Sequence, residues 1–357
     1  MRIAVVTRES TRPADAICAH AHVLTAELRR FGHQAALVMR TDRGVWRSGD
    51  GVAGELAEAI SSYDLAILAY NPFLYGRRGV APWLPREFVR ARGRRSATAR
   101  TALLVHEPYV RATDVRSSLH AAYLRTQLAA MRVGADVVLA STDAWARELG
   151  RWWPRRPTTH VPSGSVLPDR RSARDEIRRQ LGVPESTIVV ATLSSGHPSH
   201  EPGLAARAVT ALVQDRDVLL LVLGAGAKRP PSLGSVPTVV SGALSADDLA
   251  RQLSAVDIFL SPLDDGVSTR RTTLMAALQH GIAVVGTHGR LTDPELVASE
   301  GLILAPVQSE DAFVAAVRSL AADPERRRAV GAAARCLFEA RYAPDRIATR
   351  ILDACLP

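Results

Sequence analysis

Short runs of consecutive apolar residues alternate along this chain with stretches whose apolar residues return at helical spacing. In the first half the runs are Arg2 to Thr7, Gln34 to Met39, Leu65 to Ala69, Thr101 to His106 and Val137 to Ala140. They are mostly Val, Leu, Ile and Ala, and each reads as a strand buried on both faces. A helix is predicted from Ala19 to Phe31, ending at Gly32, a residue that takes the left-handed cap conformation at little cost. The second half repeats the plan. Its predicted strands are Ile188 to Leu193, Val218 to Leu223, Thr238 to Ser241, Ile258 to Ser261, Ala283 to Gly286 and Gly301 to Leu304. Its predicted helices are Glu201 to Leu212, Ala246 to Val256, Thr269 to His280, Glu310 to Ala321 and Pro324 to Phe338. This alternation predicts an α/β fold of two doubly wound, Rossmann-like parallel sheets facing a cleft. Ligands are then expected beyond the carboxyl ends of the strands.

A first domain is expected over residues 1–163 and a hinge over 164–185, followed by a second domain over 186–340. The hinge rests on Val161-Pro-Ser-Gly-Ser-Val-Leu-Pro168 and the Arg/Asp/Glu-rich segment running on to Pro184, since Pro and Gly interrupt both periodicities.

Composition narrows the class. Hydrophobic residues make up 47% and charged residues 23% of 357, which excludes wholesale disorder. No apolar run approaches the ~18 residues of a membrane span. No cleavage-site pattern follows Ile3 to Val6, so that run is a strand and a cytoplasmic protein is expected. The three cysteines, Cys18, Cys336 and Cys355, are too scattered for a disulfide framework or a metal pattern.

The net charge of +9 comes from arginine, because Lys228 is the single lysine among 45 basic residues. A GC-rich genome produces that usage, so a high isoelectric point says little about nucleic acid. No recognition motif or interleaved aromatics appear, and no nucleic-acid role is expected. The charge is unevenly placed. Residues 1–163 carry 24 arginines against 14 acidic residues, with a dense stretch at Arg90, Arg92, Arg94 and Arg95 preceded by Arg77 and Arg78. Two readings stay open: a solvated face, or a face for an anionic acceptor or peripheral contact with an anionic membrane.

Several catalytic templates fail. Gly224-Ala-Gly226 lacks the third glycine and the acidic partner of a dinucleotide fingerprint, and Lys228 is not in a P-loop. His106-Glu107 has Val110 where a zinc-protease helix needs its second histidine. Ser163 and Ser165 are not in a nucleophile elbow, and His197-Pro-Ser-His200 lacks the further ligands of a metal site. No metal or cofactor is called for.

The strongest passage runs from Ser261 to Gly281, Ser-Pro-Leu-Asp-Asp-Gly-Val-Ser-Thr-Arg-Arg-Thr-Thr-Leu-Met-Ala-Ala-Leu-Gln-His-Gly. A strand ends at Ser261, and a helix is expected to start near Ser268 or Thr269, both good N-caps. The free N–H groups of that first turn, joined by the guanidinium forks of Arg270 and Arg271, would suit a diphosphate. The plain alternative is an ordinary capped helix with solvent-facing arginines.

These passages, in order, resemble the retaining glycosyltransferases of family four, which have the GT-B fold. The resemblance rests on His160-Val-Pro-Ser-Gly-Ser165, Thr192 to Gly203, Leu221-Val-Leu-Gly-Ala-Gly226, Ser241-Gly-Ala-Leu244, Ala255-Val-Asp-Ile-Phe-Leu-Ser-Pro262 and Ala277-Leu-Gln-His-Gly-Ile-Ala-Val-Val285. In the first half it rests on Arg2 to Thr7, Leu28-Arg-Arg-Phe-Gly-His-Gln34 and Gly134-Ala-Asp-Val-Val-Leu-Ala-Ser141. It covers nearly the whole chain. It implies a nucleotide-sugar donor domain in the second half and an acceptor domain in the first. It also implies a closing helix over 341–357 that returns to the first domain. Donor contacts are implied for Gly196, His197 and Ser199, for Gly224, Gly226, Gly242 and Leu244, and for Gly266, Ser268, Thr269, Arg270, Arg271 and Thr272.

The chain departs from the family where its paired glutamates usually stand. Those positions are Ser268 and Ala276, and Asp265 is the nearest acidic stand-in for the first. The usual phosphate-holding Arg and Lys are also replaced, by Ser194, Ser195, His197, Ser199 and His200. In the first half, His106 follows a strand at the place of a family histidine that contacts the transferred sugar. Asp15, Tyr70, Asn71, Tyr75, Arg77 and Glu107 are the candidate acceptor residues, set against a rigid capped loop. The loop from Arg8 to Ile17 lacks the family's usual glycines, and His20 and His22 cannot share a helix face.

The resemblance implies retaining transfer of a sugar to a hydroxyl or amine of a small natural-product or envelope precursor. Arg270, Arg271 and the helix terminus would take the leaving diphosphate's charge. Asp265 and His106 would hold the sugar, and domain closure would exclude water. With the arginine usage, it suggests an actinobacterial enzyme. Two rivals remain because the glutamates are missing: a pseudo-glycosyltransferase or nucleotide-sugar epimerase, and a non-catalytic partner protein.

Overall fold

A computed structural model describes residues 1–10, 15–49, 51–110, 112–152, 158–194, 196–230 and 233–356. The chain forms two compact units, Met1–Pro162 with Pro344–Pro357, and Ser163–Ala343.

The first unit contains β1 (Arg2–Arg8), β2 (Gln34–Arg40), β3 (Trp46–Ser48), β4 (Gly51–Ala53), β5 (Leu65–Tyr70), β6 (Arg100–Val105), β7 (Val137–Ala140) and β8 (Thr158–His160). Among the described residues they form one sheet in the order β4-β3-β2-β1-β5-β6-β7-β8. It is parallel except at its β2-β3-β4 edge, where the pairings are antiparallel. The β3–β4 hairpin has only three residues per strand, too short for an apolar run to announce it. The central strands are buried on both faces, as the runs of β1 and β5 required. Helices Ala16–Arg30 and Pro344–Cys355 cover one face, where Leu24, Leu28, Ile347 and Ile351 join Ile3, Val5, Ile67 and Leu104 in one core.

The second unit contains β9 (Ile188–Leu193), β10 (Val218–Leu223), β11 (Thr238–Val240), β12 (Ile258–Ser261), β13 (Ala283–His288) and β14 (Leu302–Pro306). Their order is β11-β10-β9-β12-β13-β14, all parallel. Helices Pro202–Leu212 and Glu310–Ala322 pack against one face, and Thr272–Gln279 and Pro324–Leu337 against the other.

Two expected boundaries move. The segment read as a hinge over 164–185 belongs to the second unit. It carries the helix Arg174–Gln180, whose Ile177 packs with Ala173 and Ala255. Arg174 and Arg178 also grip Asp257, at 2.6 and 3.2 Å. The closing segment joins the first unit at Pro344 rather than 341, because Phe338 and Tyr342 are buried in the second unit's core.

The dense arginine stretch is only partly paired, since Arg90 and Arg94 stay 58% and 59% exposed and share one carboxylate. Arg90 and Arg94 both pair with Glu55, at 3.0 and 2.7 Å, and Arg92 pairs with Asp136 at 3.0 Å. Arg95 is buried and donates to the Tyr63 carbonyl. No helix among the described residues is long and apolar enough to cross a membrane.

Candidate functional site

In the second sheet β9 and β12 are neighbours, yet the chain leaves β9 toward β10 on one side and β12 toward β13 on the other. The helices after them cover opposite faces, so a crevice opens beyond their carboxyl ends, the place where doubly wound sheets bind ligands. The loops at that point carry the predicted donor residues.

Two glycines set the shape of the β12 loop. Gly266 has φ +83, and a Cβ there would lie 2.3 Å from Gly289 N. A Cβ on Gly289 would in turn sit 2.7 Å from the Asp265 carbonyl carbon. Only glycine at both places lets the loops after β12 and β13 touch backbone to backbone. The Leu291 N–H donates to the Asp265 carbonyl at 2.9 Å and completes the contact. Asp265 is thereby held with its carboxylate against two guanidinium groups, Arg270 Nη2 at 3.4 Å and Arg271 Nη2 at 3.6 Å, all three side chains largely buried. Arg271 Nη2 also donates to Ser199 Oγ at 2.6 Å. That bond ties the β12 loop to the β9 loop.

Around Ser199 the β9 loop folds on itself. His197 Nδ1 lies 2.7 Å from Ser199 Oγ, and the Ser199 carbonyl accepts from the Asp264 N–H at 3.0 Å. Burial, reinforced by Arg271 and Arg270, pushes the imidazoles of His197 and His200 down to about 4. Both are neutral at neutral pH, so the local positive charge is the arginine pair. Gly224 and Gly226 meet this loop from β10. Gly226 N–H donates to the Ser194 carbonyl at 3.0 Å, and Gly224 N–H donates to Ser241 Oγ at 3.1 Å, beside Gly242. Gly196 lies against Gly226, whereas Leu244 packs on the core. Ser195 lies outside the described residues. A cavity of about 150 Å³ opens among Thr192, Ser194, His200, Glu201, Gly226 and Lys228.

The expected cap is corrected. The helix begins at Thr272, with Arg271 at its N-cap and no side-chain cap. Thr269 is instead buried, its N–H and Oγ1 both donating to Asp293 Oδ2 at 2.7 and 2.9 Å. Ser268 and Ala276, where the resemblance implies glutamates, are buried at 0% and 1% exposure. The helix terminus that could face an anion is therefore Thr272's, three residues later than expected. Asp293 was missed because Asp293-Pro294 reads as an ordinary helix start, and it does stand at the N-cap of Pro294–Val297.

In the first unit, His106 follows β6 and is buried. Its ring stands edge-on to that of His20, centroids 5.2 Å apart. Burial and the neighbouring His20 push His106 down to about 3, and burial pushes His20 to about 4. Among the described residues His106 Nε2 has no hydrogen-bond partner. Asn71 Nδ2 reaches Glu107 Oε2 at 3.3 Å, which joins the loops after β5 and β6.

Three acceptor candidates are otherwise engaged. Tyr70 is fully buried, and its hydroxyl accepts from Gln127 Nε2 at 3.2 Å. Tyr75 is buried and donates to the Ala69 carbonyl at 2.9 Å. Asp15 caps the helix Ala16–Arg30, accepting from Ile17 N and Cys18 N at 3.0 and 3.1 Å. Arg77 is exposed. Arg8, not singled out by the sequence, ties the end of β1 to the helical turn Pro72–Tyr75 by donating to the Leu74 carbonyl at 2.9 Å. Of the Arg8 to Ile17 loop, residues 11–14 lie outside the described residues. Among the described residues no group of His, Cys, Asp and Glu could hold a metal ion.

Comparison with known proteins places this geometry. Residues 187–323, inside the second unit, match the family described as Glycosyl transferases group 1. A sucrose-phosphate synthase from Thermosynechococcus elongatus superposes with a TM-score of 0.71 at 16% identity, over 99% of this chain and 98% of that one. The fold is GT-B. Anabaena HepE in complex with UDP and glucose gives 0.69 at 14% identity, over 99% and 98% of the two chains. WaaG, a glycosyltransferase involved in lipopolysaccharide biosynthesis, gives 0.65 at 13%, over 97% and 98%. No curated protein matches at a significant level. Within this GT-B chain the loop after β12 carries the Asp265–Arg270–Arg271 cluster.

Proposed function

We propose that the protein is a glycosyltransferase that takes a sugar from a nucleoside diphosphate sugar and passes it, with retention, to a hydroxyl or amine of a small-molecule acceptor. The observation that carries this reading is the pair Arg270 and Arg271, buried at the switch point between β9 and β12 beside the uncapped start of the Thr272–Gln279 helix. Two guanidinium forks and a helix N-terminus converge there, and each favours a phosphate oxygen. HepE, with the same fold, is seen with UDP and glucose.

During transfer the glycosidic bond to the diphosphate breaks, and negative charge gathers on the leaving phosphate. Arg270 and Arg271 neutralise it without needing a metal ion. Asp265 keeps both guanidiniums aimed until the anion arrives, and its carboxylate is then available to sugar hydroxyls. Asn71 and Glu107 are the acceptor residues we retain.

A second reading is favoured by one observation: Ser268 and Ala276 are buried where carboxylates stand in the family. A nucleotide-sugar epimerase, or a non-catalytic partner, would tolerate that loss. Calorimetry with UDP, GDP, ADP and dTDP tests donor binding. Saturable binding lost in the Arg270→Ala/Arg271→Ala protein supports the reading, and a wild-type chain that binds none of the four overturns it. Incubation with a labelled donor separates transfer from epimerisation by product.

A further inference from the structure

We propose that the first unit holds a binding site for a small oxyanion, a phosphate or carboxylate group, at the carboxyl edge of β1 and β2, with the Arg40 guanidinium as its cation. Assigning that group to the acceptor rests on the glycosyltransferase reading, whereas the site itself does not. Arg40 ends β2 and is the register partner of Arg8 at the end of β1. Register partners in a parallel pair point to the same face, so the two arginines leave the sheet side by side. Arg8 is engaged, donating from Nη1 to the Leu74 carbonyl at 2.9 Å and from Nη2 to Asp42 at 3.0 Å. Arg40 is not. Among the described residues its guanidinium makes no hydrogen bond and no ion pair, and its Nε is buried without an acceptor. The acids of this region are taken: Glu87 accepts the Trp46 Nε1–H at 2.9 Å, and Asp42 holds Arg8.

The free guanidinium is nonetheless fixed in place. It stacks over the Trp83 ring, 3.6 Å from the centroid, with the Trp46 ring 6.0 Å away. Gly44, at φ +82 in the turn between β2 and β3, packs against it, since a Cβ there would lie 3.4 Å from Arg40 Nη2. Trp83 opens the helix Trp83–Gly93 and stands edge-on to Tyr75, centroids 6.3 Å apart. Tyr75 closes the turn Pro72–Tyr75, which Asn71 caps and which supplies the Leu74 carbonyl to Arg8. One chain of contacts thus joins Arg40, Trp83, Tyr75 and Arg8. Stacking occupies the face of a guanidinium and leaves its in-plane N–H fork open, the edge that meets a pair of oxygens. Burial pushes the Arg40 pKa below its ordinary value, Glu87 opposing and Arg8 adding to the fall. A buried donor without an acceptor is costly and calls for a partner. A neutral carbonyl would satisfy one N–H, whereas an oxyanion satisfies the fork and the charge together. Asn71 is one of the acceptor residues retained above, so the oxyanion is a group of the acceptor molecule.

Thermal unfolding and calorimetry of the full chain carrying Arg270→Ala/Arg271→Ala, which removes the arginine pair of the second unit, test this site. Inorganic phosphate or acetate is added at constant ionic strength, with chloride as the balance. At least one of them should bind and raise the unfolding midpoint. A response to phosphate alone assigns a phosphate group, and a response to acetate admits a carboxylate. Adding Arg40→Gln should weaken the responding anion at least about tenfold. Adding Arg47→Gln, at an exposed arginine of β3, should change it by less than about twofold. Circular dichroism checks folding. Should Arg40→Gln not fold, Arg40→Lys takes its place, keeping the charge without the fork, and a severalfold loss is expected. A midpoint that neither anion moves overturns the proposal, as does an Arg40 variant that binds like its parent or an equal loss in the Arg47→Gln protein. UDP calorimetry on the unsubstituted chain separates the two readings. UDP binding without an anion response removes this site alone, and an anion response lost with Arg40 but without UDP binding leaves the site and removes its tie to an acceptor.

Discussion

Arg271 and Ser199 stand 72 residues apart in sequence, yet the guanidinium donates to the hydroxyl at 2.6 Å. Their loops leave neighbouring strands at the point where the chain's direction across the sheet reverses. Arg271→Ala removes this bond and one of the two cations facing Asp265. Nucleoside diphosphate affinity should fall at least tenfold, about 1.4 kcal/mol or more, given the strength of charge-assisted bonds to phosphate. Calorimetry at fixed ionic strength reads the change, and an unaltered dissociation constant contradicts the assignment.

Gly266→Ala should be destabilising by about 2 kcal/mol or more, because a side chain is placed at positive φ against the backbone of Gly289. Urea denaturation measures the cost. The same substitution displaces Asp265 and should weaken donor binding more than any exposed substitution in the second unit.

Asp293→Ala leaves the buried N–H and hydroxyl of Thr269 without their acceptor. A loss of about 2–3 kcal/mol is expected in urea denaturation. The paired change Thr269→Val/Asp293→Ala leaves only the N–H unsatisfied and should recover part of it. No recovery would show that Asp293 acts mainly through other partners.

His20 and His106 titrate near 4 and 3 in the folded chain, below the ordinary 6.5. Between those values the unfolded chain binds more protons, so this contribution is complete above pH 6.5 and shrinks as pH falls. Each imidazole contributes a slope of up to about 1.4 kcal/mol per pH unit. Urea midpoints at about pH 7 and about pH 5 should differ less in His20→Gln/His106→Gln than in wild type. Equal gaps would mean that these rings are not held neutral.

Tyr75→Phe tests whether Tyr75 meets the acceptor. It removes a buried hydroxyl bonded to the Ala69 carbonyl and should cost about 1 kcal/mol in stability. The apparent KM for acceptor should stay the same, whereas Glu107→Gln should raise it.

The sheets were legible because a strand buried on both faces must be apolar throughout. β7, β9, β10 and β12 match their apolar runs residue for residue. The β3–β4 hairpin was not, since three-residue strands leave no period to read. Among site residues, Arg270, Arg271, Ser199 and Asp265 come together as expected, but Thr269 and Ser268 do not cap the helix. A threonine before a helix looks the same whether its hydroxyl bonds the next turn or a carboxylate 24 residues away. The burial of Tyr70 and Tyr75 was illegible for a related reason, because an aromatic after a strand can turn into the core or into solvent with the same neighbours in sequence.

The amino-acid order alone determined the central strands, most helices of the second half and the α/β class, since burial and periodicity are local properties of the chain. Which arginines are spent on Glu55 and Asp136, which pair waits at the β9–β12 crevice, and where the helix start lies were decided only in three dimensions. Charge and hydrogen-bonding groups act through distance in space, and folding sets that distance between residues the sequence holds far apart.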